Sequence, residues 1–205
     1  MTRKPQQRSI ATRARVLDAA RELSQRHGLE LVTADAVARE AGVAKGTVFA
    51  HFGDMDGLLS HVLLDRLNAL HATAAVEPVE PDRLDDPVGL ILTRMMALIA
   101  VITDSPTILR LFLDNIGVTK PNCAEAFVET LDRLDADLAG FLTVWQTSPT
   151  LQPPLRKDRT PAEMVDGLIA FMIHGAILLK SHQLTDRSIL EVRLRRHVEA
   201  FLLTD

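Results

Sequence analysis

The most constraining feature of the sequence is a glycine at position 42 that separates two short segments with helical periodicity. These segments cover residues 34–40 and about residues 44–51. Two short helices joined this closely need a residue of positive φ to reverse the chain between them, and glycine adopts that conformation at the lowest cost. The stretch GVAKGTVFAHFGDMDGLL, residues 42–59, therefore predicts a tight turn between two helices.

The apolar and small residues around this glycine have the spacing of a helix-turn-helix motif. Six positions that the motif keeps small or buried are filled as it requires, by Val37, Ala38, Ala41, Gly42, Val43 and Val48. Ala38 would lie where the two helices cross closely, and Val43 and Val48 would fill the core between them. An ordinary pair of antiparallel helices with glycine in the turn is the alternative interpretation.

The rest of the chain also has helical patterns, with no strand alternation and no internal repeat. Six further helix starts are marked by a capping side chain, in three cases followed by proline at the first helical position. They are Thr33, Asp86 with Pro87, Ser105 with Pro106, Asn122, Thr160 with Pro161, and Ser188. The expected fold class is all-α with about nine helices: an N-terminal helix-turn-helix domain and a C-terminal helical domain.

A change of composition predicts where the chain divides into domains. The segment EPVEPDRLDDP, residues 77–87, has three prolines and five acidic residues and is typical of a loop. We therefore expect residues 1–52 to form a flexible basic arm (residues 1–8) followed by the helix-turn-helix domain. A fourth helix, residues 54–73, would connect this domain to a C-terminal domain of residues 74–205.

The charge of the chain is distributed unevenly. Residues 1–52 hold nine Lys and Arg side chains against five Asp and Glu, a net charge of +4. The remaining residues hold 14 basic against 22 acidic side chains, a net charge of −8. A basic head on an acidic body indicates that only the head would contact a polyanion such as nucleic acid. Ordinary solvated helix faces are the alternative explanation.

Other classes of protein find little support in the sequence. It has no G-x-S-x-G, P-loop, C-x-x-C or H-E-x-x-H motif, so we expect neither an enzyme nor a cofactor. His61 and Asp65 lie one helical turn apart, but two ligands are too few for a metal site. The single cysteine, and the lack of an uninterrupted apolar segment long enough to cross a bilayer, predict a cytoplasmic protein without a membrane span.

The run LVTADAVAREAGVAKGTVFAHFGDMDGLL, residues 31–59, resembles the N-terminal DNA-binding domain of the TetR/AcrR family of bacterial transcriptional regulators. The family pattern is a Thr-capped helix followed by IA-x-x-AGVS-x-GT-Φ-Y-x-HF, and the match covers about residues 10–60. The resemblance implies a transcriptional regulator, most simply a repressor, although the protein sequence does not distinguish a repressor from an activator. Such a regulator binds a palindromic operator as a homodimer and releases it when a small apolar or amphipathic ligand binds.

The resemblance also implies which side chains contact DNA. The second helix of the motif would enter the major groove, where Lys45 would donate to guanine and Gly46 would let the backbone approach. The expected DNA contacts are Thr33, Lys45, Gly46, Thr47, Phe49, Ala50, His51 and Arg13.

Three residues depart from the family pattern in ways that would weaken DNA binding. Phe49 replaces a tyrosine and lacks its hydroxyl, Ala44 replaces a serine that caps the helix, and Met55 replaces a lysine. Each lost phosphate contact lowers the salt dependence of binding by about one unit. The alternative function is therefore a helical interaction or sensor module of the same fold, with weakened or no DNA binding.

The C-terminal helices are expected to form a ligand pocket and a dimer interface. Members of the family dimerise through their last two helices, which predicts an interface of Leu168, Phe171, Gly175, Leu178, Val192 and Phe201. Methionine and aromatic side chains with a few polar groups suit a small apolar ligand. The predicted lining is Arg94, Met95, Phe112, Asn115, Phe141, Trp145, Met172 and His174. Burial in the core of a single chain is the alternative explanation for both sets.

Overall fold

The computed structural model describes residues 3–75, 84–115 and 122–204. Within these ranges the chain forms nine α-helices and one short 3-10 helix, Leu29–Leu31. The α-helices are α1 (Arg3–His27), α2 (Ala34–Ala41), α3 (Lys45–Phe52), α4 (Met55–Ala75), α5 (Pro87–Ile102), α6 (Pro106–Asp114), α7 (Glu125–Thr147), α8 (Pro161–Lys180) and α9 (Arg187–Leu202). The prediction of an all-α fold with an N-terminal helix-turn-helix is confirmed.

The described residues form two compact units. The head unit takes its residues from 1–66 and 105–129, and the body unit takes them from 67–104 and 130–205. The sequence-based boundaries assigned α6 and all of α7 to the C-terminal domain. In the structure, α6 and the first turn of α7 belong to the head unit, and α4 and α7 each contribute residues to both units.

The turn of the helix-turn-helix has the predicted backbone geometry. Gly42 ends α2 in the left-handed conformation, with φ of 63° and ψ of 41°. The N–H groups of Gly42 and Val43 both donate to the carbonyl of Ala38, and the second bond is 2.9 Å long. Val37 and Val48, which the motif requires to be buried, have no exposed surface. The chain reversal at Gly42 therefore sets the direction in which α3 leaves the turn.

The first helix starts earlier than the sequence predicted. We expected a flexible arm over residues 1–8 and a helix from Ser9, but the helix begins at Arg3. The expected arm is therefore wrong for residues 3–8. Pro5 falls in the first turn of α1, where a backbone N–H has no helical acceptor, so a proline there does not interrupt the helix.

Four of the predicted helix caps are confirmed. The side chains of Thr33, Asp86, Ser105 and Thr160 each accept a hydrogen bond from the backbone N–H three residues later, at distances between 2.8 and 3.3 Å. Thr160 forms the full capping box, because the carboxylate of Glu163 also accepts from the Thr160 N–H at 2.7 Å. Each such cap stabilises its helix by about 1 kcal/mol.

Two predicted helix starts are wrong. The last helix is capped by Asp186, whose carboxylate accepts from the N–H of Ser188 at 2.8 Å. The seventh helix begins at Glu125, and the side-chain amide of Asn122 donates to the carboxylate of Asp54 at 2.7 Å. The Asn122 amide, which the local pattern assigned to a helix cap, thus bonds to a carboxylate that is distant in sequence. Most of the predicted loop over residues 77–87 lies outside the described residues, because the structure describes the chain only from residue 84 onward in this region.

The start of α4 is held by α6 and by the turn before α7, all within the head unit. Arg110 of α6 donates to both carboxylate oxygens of Asp56, at 2.6 and 3.0 Å. The hydroxyl of the fully buried Ser60 accepts from the N–H of Ala124 at 2.9 Å and donates to the carbonyl of Gly57 at 2.7 Å. The helix-turn-helix is therefore part of a larger packed unit than its sequence match suggests.

In the body unit, α5 packs against α8 and α9. An ion pair of 2.7 Å between Asp86 and Arg195 joins the start of α5 to α9. Among the described helices, α8 is the one that is by itself long and apolar enough to cross a membrane. This helix also supplies Met164, Leu168 and Met172 to the core, which accounts for its apolar composition.

The packing around Gly57 gives a test of the head unit. A Cβ atom at this position would overlap the carbonyl oxygen of Phe52 and lie 2.6 Å from that of Asn122. We expect Gly57→Ala to lower the free energy of unfolding by about 1–3 kcal/mol, because backbone must move to admit the methyl group. The measurement is urea denaturation followed by circular dichroism.

The matched control is Gly140→Ala, because Gly140 is an exposed helical residue with no atom within 4 Å of the added Cβ. This variant should gain up to about 1 kcal/mol from the higher helix propensity of alanine. If Gly57→Ala were as stable as Gly140→Ala, the described packing of the α4 start would be contradicted.

Candidate nucleic-acid interface

One side of α3 is free of contacts that would hide it. Lys45, Gly46 and Ala50 are exposed, and Thr47, Phe49 and His51 are half-buried. The buried residues of this helix are Val48 and Phe52, which lie on its other side. The predicted DNA-reading residues of α3 are therefore on a solvent-accessible surface, and a duplex could reach them without any rearrangement of the head unit.

Gly46 lies in the first turn of this exposed surface. No atom lies within 4 Å of a Cβ built at this position, and its φ is not in the positive range. Neither the fold nor the backbone conformation therefore requires glycine here, although alanine is favoured in helices by up to about 1 kcal/mol. A close approach of another molecule to the α3 backbone would explain the choice.

The first turns of α2 and α3 carry the other predicted contacts near the turn. Thr33 is exposed, and its hydroxyl caps α2 by accepting from the N–H of Ala36 at 3.2 Å. Lys45, the first residue of α3, forms an ion pair with Asp35 of α2, with 2.8 Å between Nζ and Oδ2. The sequence analysis missed Asp35, because no motif marks this residue. Only the chain reversal at Gly42 brings the first turn of α2 close to the first turn of α3.

Arg13 has contacts within the head unit. Its guanidinium lies 4.7 Å from the ring centroid of Phe52 and donates to Nε2 of His61 at 2.7 Å. The Phe52 and His61 rings also meet edge to face, with centroids 5.6 Å apart. This arrangement joins α1, α3 and α4 and gives Arg13 a structural role, so a phosphate contact by Arg13 stays a prediction. Phe52 is buried.

The environment of His61 favours its neutral form. Burial lowers the pKa of the imidazole below its usual value of 6.5, and the positive charges of Arg13 and Arg21 lower it further. An imidazole that accepts from Arg13 at Nε2 carries its proton on Nδ1. Neutral His61 therefore stabilises the junction of the three helices, whereas a protonated ring would lose the hydrogen bond and face a guanidinium.

The structure shows the local surroundings of the three departures from the family pattern. Ala44 occupies the N-cap position of α3, and no side chain caps that helix start. Asp54, the residue before Met55, stabilises the start of α4, because its carboxylate accepts a hydrogen bond from the N–H of Gly57 at 2.8 Å. The half-buried ring of Phe49 lacks the hydroxyl that would reach a phosphate.

Several other cations of the head unit are engaged by acidic side chains. Arg21 donates to both carboxylate oxygens of Asp65, at 2.7 and 3.1 Å, and Arg26 pairs with Glu40. Within the described ranges, no cluster of three potential metal ligands occurs.

The predicted dimer-interface residues divide into two groups. Leu168, Gly175 and Leu178 are buried within one chain, so the structure places them in the core of the body unit. Val192 is 54% exposed, and Phe171 and Phe201 are half-buried with ring centroids 5.4 Å apart. Two further apolar residues of these helices, Ile177 and Ile189, are 43% and 51% exposed. We define the α8–α9 face as Ile177, Ile189 and Val192 together with His174, Arg193, Arg196 and His197.

The predicted pocket residues are distributed over both units. Phe112 and Asn115 belong to the head unit, where both are buried and the Asn115 amide donates to the carbonyl of Leu111 at 2.7 Å. His174 is exposed on the α8–α9 face, so the structure does not support it as a lining residue.

In the body unit, Met95, Phe141, Trp145 and Met172 are buried, and the Arg94 guanidinium lies 6.0 Å from the centroid of the Phe141 ring. The indole N–H of Trp145 donates to the carbonyl of Pro153 at 2.9 Å. Among the described residues, the buried Nε of Arg94 has no hydrogen-bond acceptor. Within the described part of the chain, Arg94 is thus the one predicted lining residue that has a buried donor without an acceptor.

Comparison with known proteins finds similarity in the N-terminal segment of the chain. Residues 16–62 match the family model of bacterial regulatory proteins of the tetR family. The chain is also similar to the HTH-type transcriptional regulator SrpR of Pseudomonas putida, with 39% identity over 70 residues. The matched segment is 34% of this chain and spans only 33% of the length of SrpR. The sequence similarity is therefore local, as the motif predicted.

Over more than nine-tenths of the chain, the fold is similar to those of two solved proteins. The FadR repressor of Thermus thermophilus, solved with lauroyl-CoA, superimposes with a TM-score of 0.66 and 20% identity, covering 92% of each chain. RolR, solved with resorcinol, gives a TM-score of 0.64 and 18% identity over 94% of this chain and 89% of RolR. At these identities, the likeness shows the fold alone.

The environment of His61 generates a testable pH dependence. Because folding lowers the pKa of His61, the unfolded chain binds its proton first as the pH falls, and the native state loses stability below about pH 6.5. We expect His61→Gln to lose less stability than wild type between about pH 7.5 and 5.5. The free energy of unfolding measured by urea denaturation at each pH checks this.

The control is His27→Gln, which removes an exposed histidine of the same helical head without touching Arg13. Equal acid sensitivity of the two variants would contradict the assigned role of His61.

Proposed function

We propose that this chain, a member of the tetR family of bacterial regulatory proteins, binds a palindromic operator as a homodimer and represses transcription until a small apolar or amphipathic ligand releases it. Members of this family are transcriptional regulators and not enzymes. They are soluble cytoplasmic proteins, and we expect the same location for this chain.

The observation that carries the proposal is the exposed surface of α3 behind the Gly42 turn. A recognition helix must present several adjacent side chains to base edges while its opposite side is fixed in a core. Lys45, Gly46 and Ala50 meet the first requirement, and Val48 and Phe52 meet the second. Lys45 can donate to guanine, and Ala50 can contact a thymine methyl group.

Three exposed apolar side chains support self-association through the α8–α9 face. Ile177, Ile189 and Val192 are each more than 40% exposed on two adjacent helices. A two-fold dimer places the same surface of both subunits in contact, so one apolar face suffices for both partners. A dimer would also present two α3 helices to the two half-sites of a palindrome.

The buried Nε of the half-buried Arg94 supports an effector that has both an apolar and a polar part. Its unpaired Nε lies in a unit whose buried residues include Met95, Phe141 and Met172. A buried donor without an acceptor costs about 1–3 kcal/mol, which a ligand with a polar acceptor would recover. FadR and RolR have similar folds, and their solved structures contain lauroyl-CoA and resorcinol, respectively.

A second candidate function is a helical interaction or sensor module that does not bind DNA. Three features favour it: Ala44 leaves α3 uncapped, Phe49 has no hydroxyl, and Lys45 is already paired with Asp35. Under this alternative, the exposed surface of α3 would have no measurable affinity for any duplex, and this distinguishes it from a regulator.

Selection of genomic fragments with the purified full-length chain, followed by fluorescence anisotropy on the selected duplex, tests DNA binding. We expect Lys45→Ala to weaken binding of the selected duplex, because one cation per head no longer meets the DNA. Lys157→Ala removes an exposed lysine of the body unit and serves as the matched control.

The proposal fails if no duplex is enriched. It also fails if Lys45→Ala and Lys157→Ala bind the selected duplex equally well.

Dimerisation through the α8–α9 face has its own test. We expect Val192→Asp to shift the protein from dimer to monomer in analytical ultracentrifugation, because each interface would bury two additional carboxylates in an apolar contact. Val144→Asp is the control, since Val144 is an apolar residue of α7 with a similar exposure of 44%. A Val192→Asp protein that remains as dimeric as Val144→Asp would exclude this face.

A further inference from the structure

An acidic side chain lies directly beside the candidate reading lysine. Asp35 is the second residue of α2, Lys45 is the first residue of α3, and their charged atoms are 2.8 Å apart. Both side chains remain accessible, with 74% of Asp35 and 52% of Lys45 exposed. Asp35 is therefore on the surface that a duplex would cover, and its carboxylate is directed at Lys45.

This placement is electrostatically unfavourable for a surface that binds a polyanion. A phosphate that takes Lys45 must displace the Asp35 carboxylate, and it then lies near an uncompensated negative charge. An exposed ion pair contributes little to stability. The Asp35 carboxylate also lies in the first turn of α2, where the helix dipole favours a negative charge, but any acidic residue of that turn would serve this purpose. At position 35 the carboxylate additionally reduces the positive charge that α3 presents to any duplex.

We propose that Asp35 is a specificity-determining residue that masks Lys45 in the free protein and suppresses binding to arbitrary duplexes. The inference rests on the proposed DNA-binding function. A non-specific duplex offers Lys45 only phosphate, and exchanging one anion for another gains little. The correct sequence also offers base-edge acceptors, which compensate for the broken ion pair because a good base contact discriminates against the wrong base by roughly 5- to 150-fold.

The size of the effect follows from the distances involved. Two like charges about 6 Å apart in water repel by an energy equivalent to about a threefold change in affinity. Two heads of a dimer would therefore change non-specific affinity by about tenfold. The interaction is not fully screened, because the Debye length is about 8–10 Å at ordinary salt concentrations.

Masking also changes the dependence of binding on salt. In the wild type, transfer of Lys45 to a phosphate releases a counterion from DNA but leaves Asp35 to attract a cation from solution, so the two effects nearly cancel. With a neutral residue at position 35, the release is uncompensated. The salt slope should then be steeper by about one unit per head.

The experiment compares Asp35→Asn with Glu40→Gln in the full chain. Glu40 is an exposed carboxylate of the same helix and pairs with Arg26, so Glu40→Gln makes the same charge change on α2 without touching Lys45. The probes are a random-sequence duplex and the selected duplex, measured by fluorescence anisotropy at several salt concentrations. Thermal denaturation of each variant controls for loss of folding.

We expect Asp35→Asn to bind the random duplex about tenfold more tightly than wild type as a dimer, with a steeper salt slope and a smaller gain on the selected duplex. Glu40→Gln should match wild type on both probes. In a Lys45→Ala background, Asp35→Asn should have a smaller effect, because there is no lysine left to unmask.

Three results would overturn the inference. One is an unchanged salt slope and affinity in Asp35→Asn while Lys45→Ala weakens binding. Another is a selective loss of the selected duplex in Asp35→Asn, which would make the carboxylate an acceptor for a cytosine amino group. The third is an undiminished effect in the Lys45→Ala background. If neither wild type nor Asp35→Asn binds any duplex, the proposed function fails and the inference fails with it.

Discussion

The chain reversal at Gly42 is the constraint on which the candidate interface depends. A left-handed backbone at this residue ends α2, and the N–H groups of Gly42 and Val43 donate to the carbonyl of Ala38. This geometry brings the first turns of α2 and α3 together and directs Val48 into the core. One face of α3 is then buried and the other is accessible, so an eight-residue helix gains a defined orientation that it could not hold alone.

The head unit stabilises this orientation with more of the chain than the motif contains. Polar contacts from α6 and the turn before α7 fix the start of α4, which follows α3 after a single turn. The buried hydroxyl of Ser60 is satisfied on both sides, and Asp56 receives two hydrogen bonds from Arg110. The contacts of Asp56 with Arg110 and of Ser60 with Ala124 each span more than 50 residues of sequence. A change in α6 or at the start of α7 would therefore loosen the start of α4, which follows the end of α3.

Electrostatics in the head are more local than the net charge suggests. The excess of basic residues over residues 1–52 indicated a general attraction to a polyanion. In the structure, Arg21 and Arg26 are paired with acids, Arg13 is held by an aromatic ring and an imidazole, and Lys45 faces Asp35. A polyanion that bound this surface would therefore have to displace these partners, which a count of charges does not reveal.

The sequence by itself determined the helix-turn-helix, the all-α class and four helix caps, because each depends on residues within a few positions of one another. The positive φ of Gly42, the cap of Thr33 and the burial of Val37 and Val48 all followed from local spacing. Tertiary structure decided the contacts between distant residues: the partner of Lys45, the role of Arg13, the hold of Asn122 on Asp54, and which apolar residues of α8 and α9 remain exposed. A helical period shows that Leu168 and Ile177 are apolar, but only the packing of α5, α8 and α9 decides that Leu168 is buried and Ile177 is exposed.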